Sequence, residues 1–230
     1  MHNIDIPRAV VDRVIRHRGR EHVYDNFDPQ RAALLVIDMQ NGFMLPGTAF
    51  LLCEQAVNIV PNINRLAAGL RNAGGTVVWV ITTWSEKSLQ DWSVFFELVG
   101  GERTPKRLAG LAEGSIGHQL WSGLDVRPGD LTVSKTKYSA FVEGSSELAP
   151  MLRSRSVDTL LVTGTVTNVC CESTARDAMM MNFRTIMVTD ANAALSDQDH
   201  NNSLTAFYLS FGDIMPTDMI LQRLAARQAA

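Results

Sequence analysis

Along most of this chain, unbroken apolar runs alternate with stretches that are apolar on one side only. The runs at 32–37, 76–81 and 159–162 are rich in Val, Ile and Leu and lack the alternation of a half-exposed strand, so they predict strands buried on both faces, while 131–134 and 185–188 predict further short strands. Residues 213–215 predict a short sixth strand at an edge. Between the runs, apolar residues return at helical spacing. Val57, Val60, Ile63, Leu66, Ala67 and Leu70 form the inner stripe of a helix over 54–73, which Gly74-Gly75 closes. A second helix is expected over 146–155, with Pro150 confining its regular part to one side. Others are expected from Val169 onward, after an N-cap at Ser196, and after Thr217. A basic helix over 7–18 carries Val10, Val11, Val14 and Ile15 on one stripe and is expected to pack on its own domain.

Strand, helix and strand at this spacing make right-handed crossovers and a parallel sheet. The fold class that follows is α/β: a doubly wound, mostly parallel six-stranded sheet flanked by helices, Rossmann-like in architecture. Residues 1–30 read as a helical extension and 31–230 as one domain. Residues 85–129 break the rhythm. Trp92, Phe95, Phe96 and Leu98 suggest a covering helix, while Gly100-Gly101 and the stretch 110–117 suggest loops. Excursions of this kind beside strand tips shape substrate access.

Composition narrows the partners. A 230-residue chain that is 46% hydrophobic can bury a substantial core, and a net charge of −3 provides no basic field for nucleic acid. No run approaches the roughly 18 apolar residues that span a bilayer, so no membrane partner is expected. Cys53, Cys170 and Cys171 are odd in number and lack metal-ligand spacing, which fits a reducing compartment and a cytoplasmic protein.

Three polar residues stand where buried strands end. Asp38 closes the first run, Lys135 follows the third, and Cys170 falls in the first helical turn after the fourth. Taken singly, each has an ordinary reading: a turn cap, a surface lysine, a small buried hydrophobe. Parallel strands, however, present their carboxyl ends on one rim, where α/β sheets bind ligands. A carboxylate, an ammonium and a thiol converging there form a working set in which the acid takes the thiol proton and the cation favours the thiolate. The helix start adds N–H groups that favour negative charge. Cys171 points about 100° away from Cys170 and cannot share its role. Phe43, Trp84, Tyr138 and Phe141 are the candidate walls of a substrate pocket, with Trp84 equally consistent with packing.

The segments LLVIDMQNGF (34–43), KTKYSAF (135–141) and VTGTVTNVCCESTARDA (162–178) resemble, in order, three motifs of the isochorismatase-like cysteine hydrolases. The resemblance extends over 32–219 and implies that family's fold. It places Asp38, Lys135 and Cys170 on the catalytic triad, with Lys137 on a second basic position. It puts a non-proline cis peptide at Val166-Thr167, with the amides of Thr167 and Cys170 as the oxyanion hole. The implied chemistry is cofactor-free amide hydrolysis through a thioester, on a small amide or carbamoyl substrate that releases ammonia. The segments look most like the ureidoacrylate and N-carbamoylsarcosine amidohydrolase branch, and relatives are commonly homodimers or homotetramers, for which the basic N-terminal helix is a candidate contact. Residues 82–86 carry no histidine where nicotinamide-hydrolysing relatives hold a metal, so the metal expectation is none. Gly42 departs from the family's usual acidic residue. Two other readings stay open: vinyl-ether hydrolysis of the isochorismatase type, which needs no thiol, and a non-catalytic redox or binding protein using Cys170-Cys171.

Overall fold

The protein is described by a computed structural model over residues 1–228, so the expected domain end at Ala230 lies outside the described residues. Six strands, β1 (Ala32–Ile37), β2 (Thr76–Thr82), β3 (Leu131–Lys135), β4 (Thr159–Thr165), β5 (Arg184–Ala193) and β6 (Asp213–Met215), form one sheet in the order β3-β2-β1-β4-β5-β6. Every pairing is parallel. The helices are α1 (Arg8–Arg18), α2 (Asn41–Met44), α3 (Ala56–Asn72), α4 (Glu86–Asp91), α5 (Ser93–Val99), α6 (Thr104–Leu111), α7 (Leu148–Ser154), α8 (Glu172–Met180), α9 (Asp197–Ser210) and α10 (Thr217–Gln228). Among the described residues no helix is long and apolar enough to cross a membrane.

Every residue of β1 is buried because its two faces serve two cores. Leu34 and Val36 pack with Ile59, Ile63, Leu66 and Leu70 of α3 and with Ile220 and Leu224 of α10. Ala33, Leu35 and Ile37 belong to the opposite core, with Leu148 and Leu152 of α7, Ala175 and Ala178 of α8, and Leu204 and Phe207 of α9. The period of two in a strand thus feeds two layers, and no position is left over for a polar side chain. The basic helix α1 lies against α9 of its own chain: Val14 enters the second core and Arg18 donates to Gly212 O at 2.9 Å.

The strands outrun the apolar pattern at their carboxyl ends. Thr82 and Lys135 remain paired across β2 and β3, and Thr165 pairs with Ala193. These polar tips are held because they hydrogen-bond one another, which apolar counting does not register. Between Val162 and Gly164 the β4–β5 register shifts, and Asn192 Nδ2 bridges the irregularity to Val162 O at 2.8 Å and Val188 O at 2.7 Å. Pro150 sits inside the first turn of α7, where its missing N–H has no intrahelical partner to lose.

Residues 85–129 form α4, α5, α6 and loops, pinned over the tips of β1 and β2. Gly42 N donates to Gly117 O at 2.7 Å, Trp121 N to Met39 O at 2.9 Å, and Trp84 N to Leu111 O at 3.0 Å. A Cβ on Gly42 would stand 2.8 Å from Leu111 Cδ2 and 3.0 Å from Gly117 O, so an acidic side chain has no room while this excursion packs there.

Between β1 and β4, where the strand order reverses, Gly164 has φ +117° and a Cβ would lie 2.0 Å from Ile37 O. Gly164→Ala is therefore expected to lower unfolding free energy by at least about 3 kcal/mol in urea titrations, combining a clash with a forbidden φ. A loss under about 0.5 kcal/mol would contradict this close strand approach.

Candidate active site

The reversal between β1 and β4 opens a crevice at their carboxyl ends, and the polar tips meet there. Asp38 leaves β1 with φ +52°, a left-handed conformation that aspartate tolerates better than most residues. Its backbone is clamped on both sides: N–H donates to Val80 O at 2.8 Å, and C=O accepts from Thr165 Oγ1 at 3.0 Å. Lys135, at the end of β3, reaches back over β2. Its ammonium donates to Asp38 Oδ2 at 2.9 Å, Thr82 Oγ1 at 2.6 Å and Lys137 O at 3.2 Å, so three protons meet three acceptors. Because Thr82 Oγ1 accepts from the ammonium, its own proton goes to Asp38 Oδ1 at 2.8 Å. Thr82 is in turn held by Gln40, which accepts from Thr82 N at 2.8 Å and donates to Thr82 O at 3.1 Å.

Asp38 and Lys135 are both fully buried. Burial by itself would lower the Lys135 pKa, but the Asp38 carboxylate and its hydrogen bond, together with Cys170, raise it on balance, so the ammonium stays charged. Cys170 completes the cluster, its thiol facing both the carboxylate and the ammonium. Here the structure corrects the expectation of a stabilised thiolate. Burial and the neighbouring Asp38 charge push the Cys170 pKa up by more than Lys135 pulls it down. Cys170 therefore rests as a thiol beside the Asp38 carboxylate. Cys171 is wholly buried, turned toward Thr163 O at 3.9 Å, and its pKa is likewise raised by burial.

Two further expectations change. The cis peptide joins Thr165 to Val166, one link before Val166-Thr167. β4 stays paired with β5 through Thr165, so the chain leaves the sheet at the next bond and Thr167 already belongs to the following turn. That turn, Thr167–Cys171, is a π-helical one in which Cys171 N donates to Val166 O at 3.3 Å, so Cys170 precedes α8 instead of opening a regular first turn. Phe141 does not line the pocket. Ala140 N donates to Thr174 Oγ1 at 3.2 Å, tying the loop to α8, and Phe141 is directed into the core against Phe183, centroids 5.6 Å apart.

The other candidate walls do meet. Phe43, Trp84, Tyr138, Val166 and Cys170 line one cavity of about 150 Å³, a size that admits a six-membered ring. Trp84 sits at its centre, 5.8 Å from Phe50 and 5.4 Å from Phe95, with Nε1 bound to Thr136 O at 2.9 Å. Phe50, Leu51, Phe95, Val99, Arg107 and Val169 also line it but were not named as pocket walls from sequence; most lie in irregular loops or the excursion, where no periodicity assigns a facing direction. Thr82 and Gln40 were also missed, although Gln40 lies inside a recognised motif. Among the described residues no group of three or more His, Cys, Asp or Glu is placed to hold a metal ion.

Behind the turn lies a buried histidine of α9. His200 Nε2 faces Thr189 O at 2.9 Å and must carry the proton, so Nδ1 accepts from Thr167 Oγ1 at 2.9 Å. His2 stacks on it with centroids 4.4 Å apart. His2 Nε2 accepts from Ala194 N at 2.9 Å, so its Nδ1–H faces Asp197 Oδ1 at 2.6 Å. Burial, reinforced by His2, lowers the His200 pKa to about 4.

The isochorismatase domain model matches residues 32–219. A cysteine hydrolase from Pseudomonas syringae pv. phaseolicola 1448A is similar at 30% identity over 87% of this chain and 95% of its own, with a TM-score of 0.78. An isochorismatase family protein from Desulfovibrio vulgaris subsp. vulgaris str. Hildenborough is also 30% identical, over 87% and 99%, with a TM-score of 0.70. An N-carbamoylsarcosine amidase from Thermoplasma acidophilum shares the fold at 24% identity, over 82% and 97%, with a TM-score of 0.66.

Removing one member of the buried pair strands the other. Asp38→Ala and Lys135→Ala are each expected to cost about 3–5 kcal/mol in denaturant titrations, whereas Asp38→Leu combined with Lys135→Met recovers most of that loss. Single-variant losses below about 1 kcal/mol would remove the pair from its structural role. For His200 the sign is set by a folded pKa of about 4 against 6.5 unfolded. The unfolded chain binds the extra proton, so stability present above pH 6.5 declines as pH falls toward 4, by up to about 3 kcal/mol. His200→Asn should flatten that slope in thermal unfolding between pH 4 and 7; an unchanged slope would count against it.

Proposed function

Since this chain belongs to the isochorismatase family, we propose that it is a cysteine amidohydrolase acting on a small carbamoyl- or ureido-type substrate. The observation that carries this reading is the Cys170 thiol, facing the Asp38–Lys135 pair at the floor of an aromatic cavity. Amide cleavage needs a strong nucleophile, a base for its proton, and donors where the carbonyl oxygen becomes negative.

In the proposed reaction Asp38 accepts the Cys170 proton as the sulfur attacks the substrate carbonyl, since a thiol of raised pKa is best deprotonated as the C–S bond forms. Lys135 stays charged throughout and offsets the negative charge of carboxylate and sulfur. The amides of Thr167 and Cys170 hold the oxyanion. Collapse breaks the C–N bond, and Asp38 returns the proton to the departing nitrogen, leaving a thioester and free ammonia. Asp38 then takes a proton from water, whose oxygen attacks the thioester, and the proton goes back to the Cys170 sulfur. Where the acyl group is a carbamate, it decomposes to carbon dioxide and the amine. Thr82, bonded to both Asp38 and Lys135, keeps the two in register through these transfers.

Ammonia release from ureidoacrylate, N-carbamoyl amino acids, simple primary amides and nicotinamide tests the reading. Cys170→Ala is expected to abolish release, by at least about 10³-fold, while Cys171→Ala retains it within about tenfold. Ammonia released equally well by Cys170→Ala would overturn the thiol mechanism. Isochorismate turnover surviving that substitution would mark vinyl-ether hydrolysis instead.

A further inference from the structure

Among the described residues the cavity is lined by three cations, Lys135, Lys137 and Arg107, and by no carboxylate. Lys135 is neutralised by Asp38, which lies behind it. Lys137 donates only to a backbone carbonyl, Glu143 O, at 2.9 Å. Arg107, on α6, makes no ion pair among the described residues. Its guanidinium instead lies over two cavity rings, with Cζ 5.6 Å from the Phe50 centroid and 5.7 Å from the Phe95 centroid.

An arginine half-buried between aromatic rings loses hydration without gaining a counter-charge, and this burial, with Arg103 nearby, lowers its pKa. Such a group binds an anion strongly, because the arriving charge restores what desolvation removed. The guanidinium fork presents paired N–H donors that match a carboxylate in two parallel hydrogen bonds. Arg107 lines the inner cavity and also the adjoining outer depression, which carries Arg103 and Lys106 together with Glu102, so a predominantly basic approach leads inward. Tyr138 lines the same cavity as Cys170 and Arg107.

We propose that Arg107 is a carboxylate-binding residue of this pocket, so that the substrate is an anionic amide: its carbamoyl end on Cys170, its short apolar or unsaturated body among Phe43, Trp84 and Phe95, and its carboxylate on Arg107. Lys137 adds a second positive charge to the same field. The proposal rests on the amidohydrolase reading for its carbamoyl end only. Neutral amides of equal size would leave Arg107 desolvated and unpaired, and so would be rejected.

The test uses pairs differing in charge alone: ureidoacrylate and 3-ureidopropanoate against their methyl esters, with ammonia release as readout. The wild-type enzyme is expected to prefer the acids by at least about thirtyfold in kcat/KM. Arg107→Gln should erase that preference by weakening turnover of the acids far more than that of the esters, mainly through KM, and Arg107→Lys should restore part of it. Equal use of acid and ester by the wild type, or equal damage to both in Arg107→Gln, overturns the proposal. Binding is measured separately in the Cys170→Ala protein by Trp fluorescence with the same four compounds. If it binds the acids alone, and Arg107→Gln abolishes that binding, the anion site stands even where the wild type releases no ammonia and the amidohydrolase reading falls. If it binds neither acid, or both esters equally well, the anion site falls whatever the turnover.

Discussion

The ion pair between Asp38 and Lys135 is the constraint on which the site depends. Both charges are fully buried, and a buried pair is tolerable only if its geometry is good and its remaining hydrogen-bonding capacity is used. Thr82 and the Lys137 carbonyl satisfy that capacity. The strand order makes this arrangement possible and demands a lysine. β3 and β1 are separated by β2, so their axes lie about 10 Å apart at the usual strand spacing of about 4.8 Å. A long flexible stem can span that gap above the β2 tip, and the β2 residue beneath it, Thr82, becomes the relay between the charges.

The thiol is defined by the same pair. Placed beside a carboxylate in a dry crevice, Cys170 is held protonated, with Lys135 limiting the rise. In the proposed reaction, a buried base next to a buried thiol defers the proton transfer until a substrate carbonyl can take the electron pair. That arrangement guards the sulfur against adventitious oxidants, which react with thiolates, while keeping its base in contact. His200 and Thr167 brace the turn from behind, using a neutral imidazole whose two nitrogens are each committed to one partner.

Chemistry and selectivity come from different parts of the fold. Asp38, Lys135 and Cys170 stand at or just past strand ends: Lys135 is held by ladder pairing, Asp38 by backbone hydrogen bonds to Val80 and Thr165, and Cys170 by the π-helical turn after β4. The cavity walls come largely from the segment between β2 and β3, which is pinned at Gly42 and Gly117 and brings Phe95 and Arg107 over the crevice. Loops carried on a rigid scaffold can vary what is bound without disturbing how it reacts. Gly42, which reads in sequence as a missing acidic residue, is the point of close approach that lets this segment lie where it does.

The chain alone determined a good deal. Six apolar runs and the stripes between them specified a parallel, doubly wound sheet, because burial on both faces leaves a local and periodic mark on composition. The same runs located their own carboxyl ends, and so Asp38, Lys135 and Cys170 could be named as neighbours before any distance was known. What only the tertiary structure decided were properties that depend on through-space distance and dielectric. The resting protonation of Cys170 follows from how completely three elements exclude water, which no single segment encodes. Phe141 points into the core from a loop tied to α8 by Ala140 N, and the cis link lies one residue before the position the resemblance implied. Arg107, Phe50 and His200 lie far in sequence from the residues they serve. Their roles arise from packing between segments whose local patterns carry no record of one another.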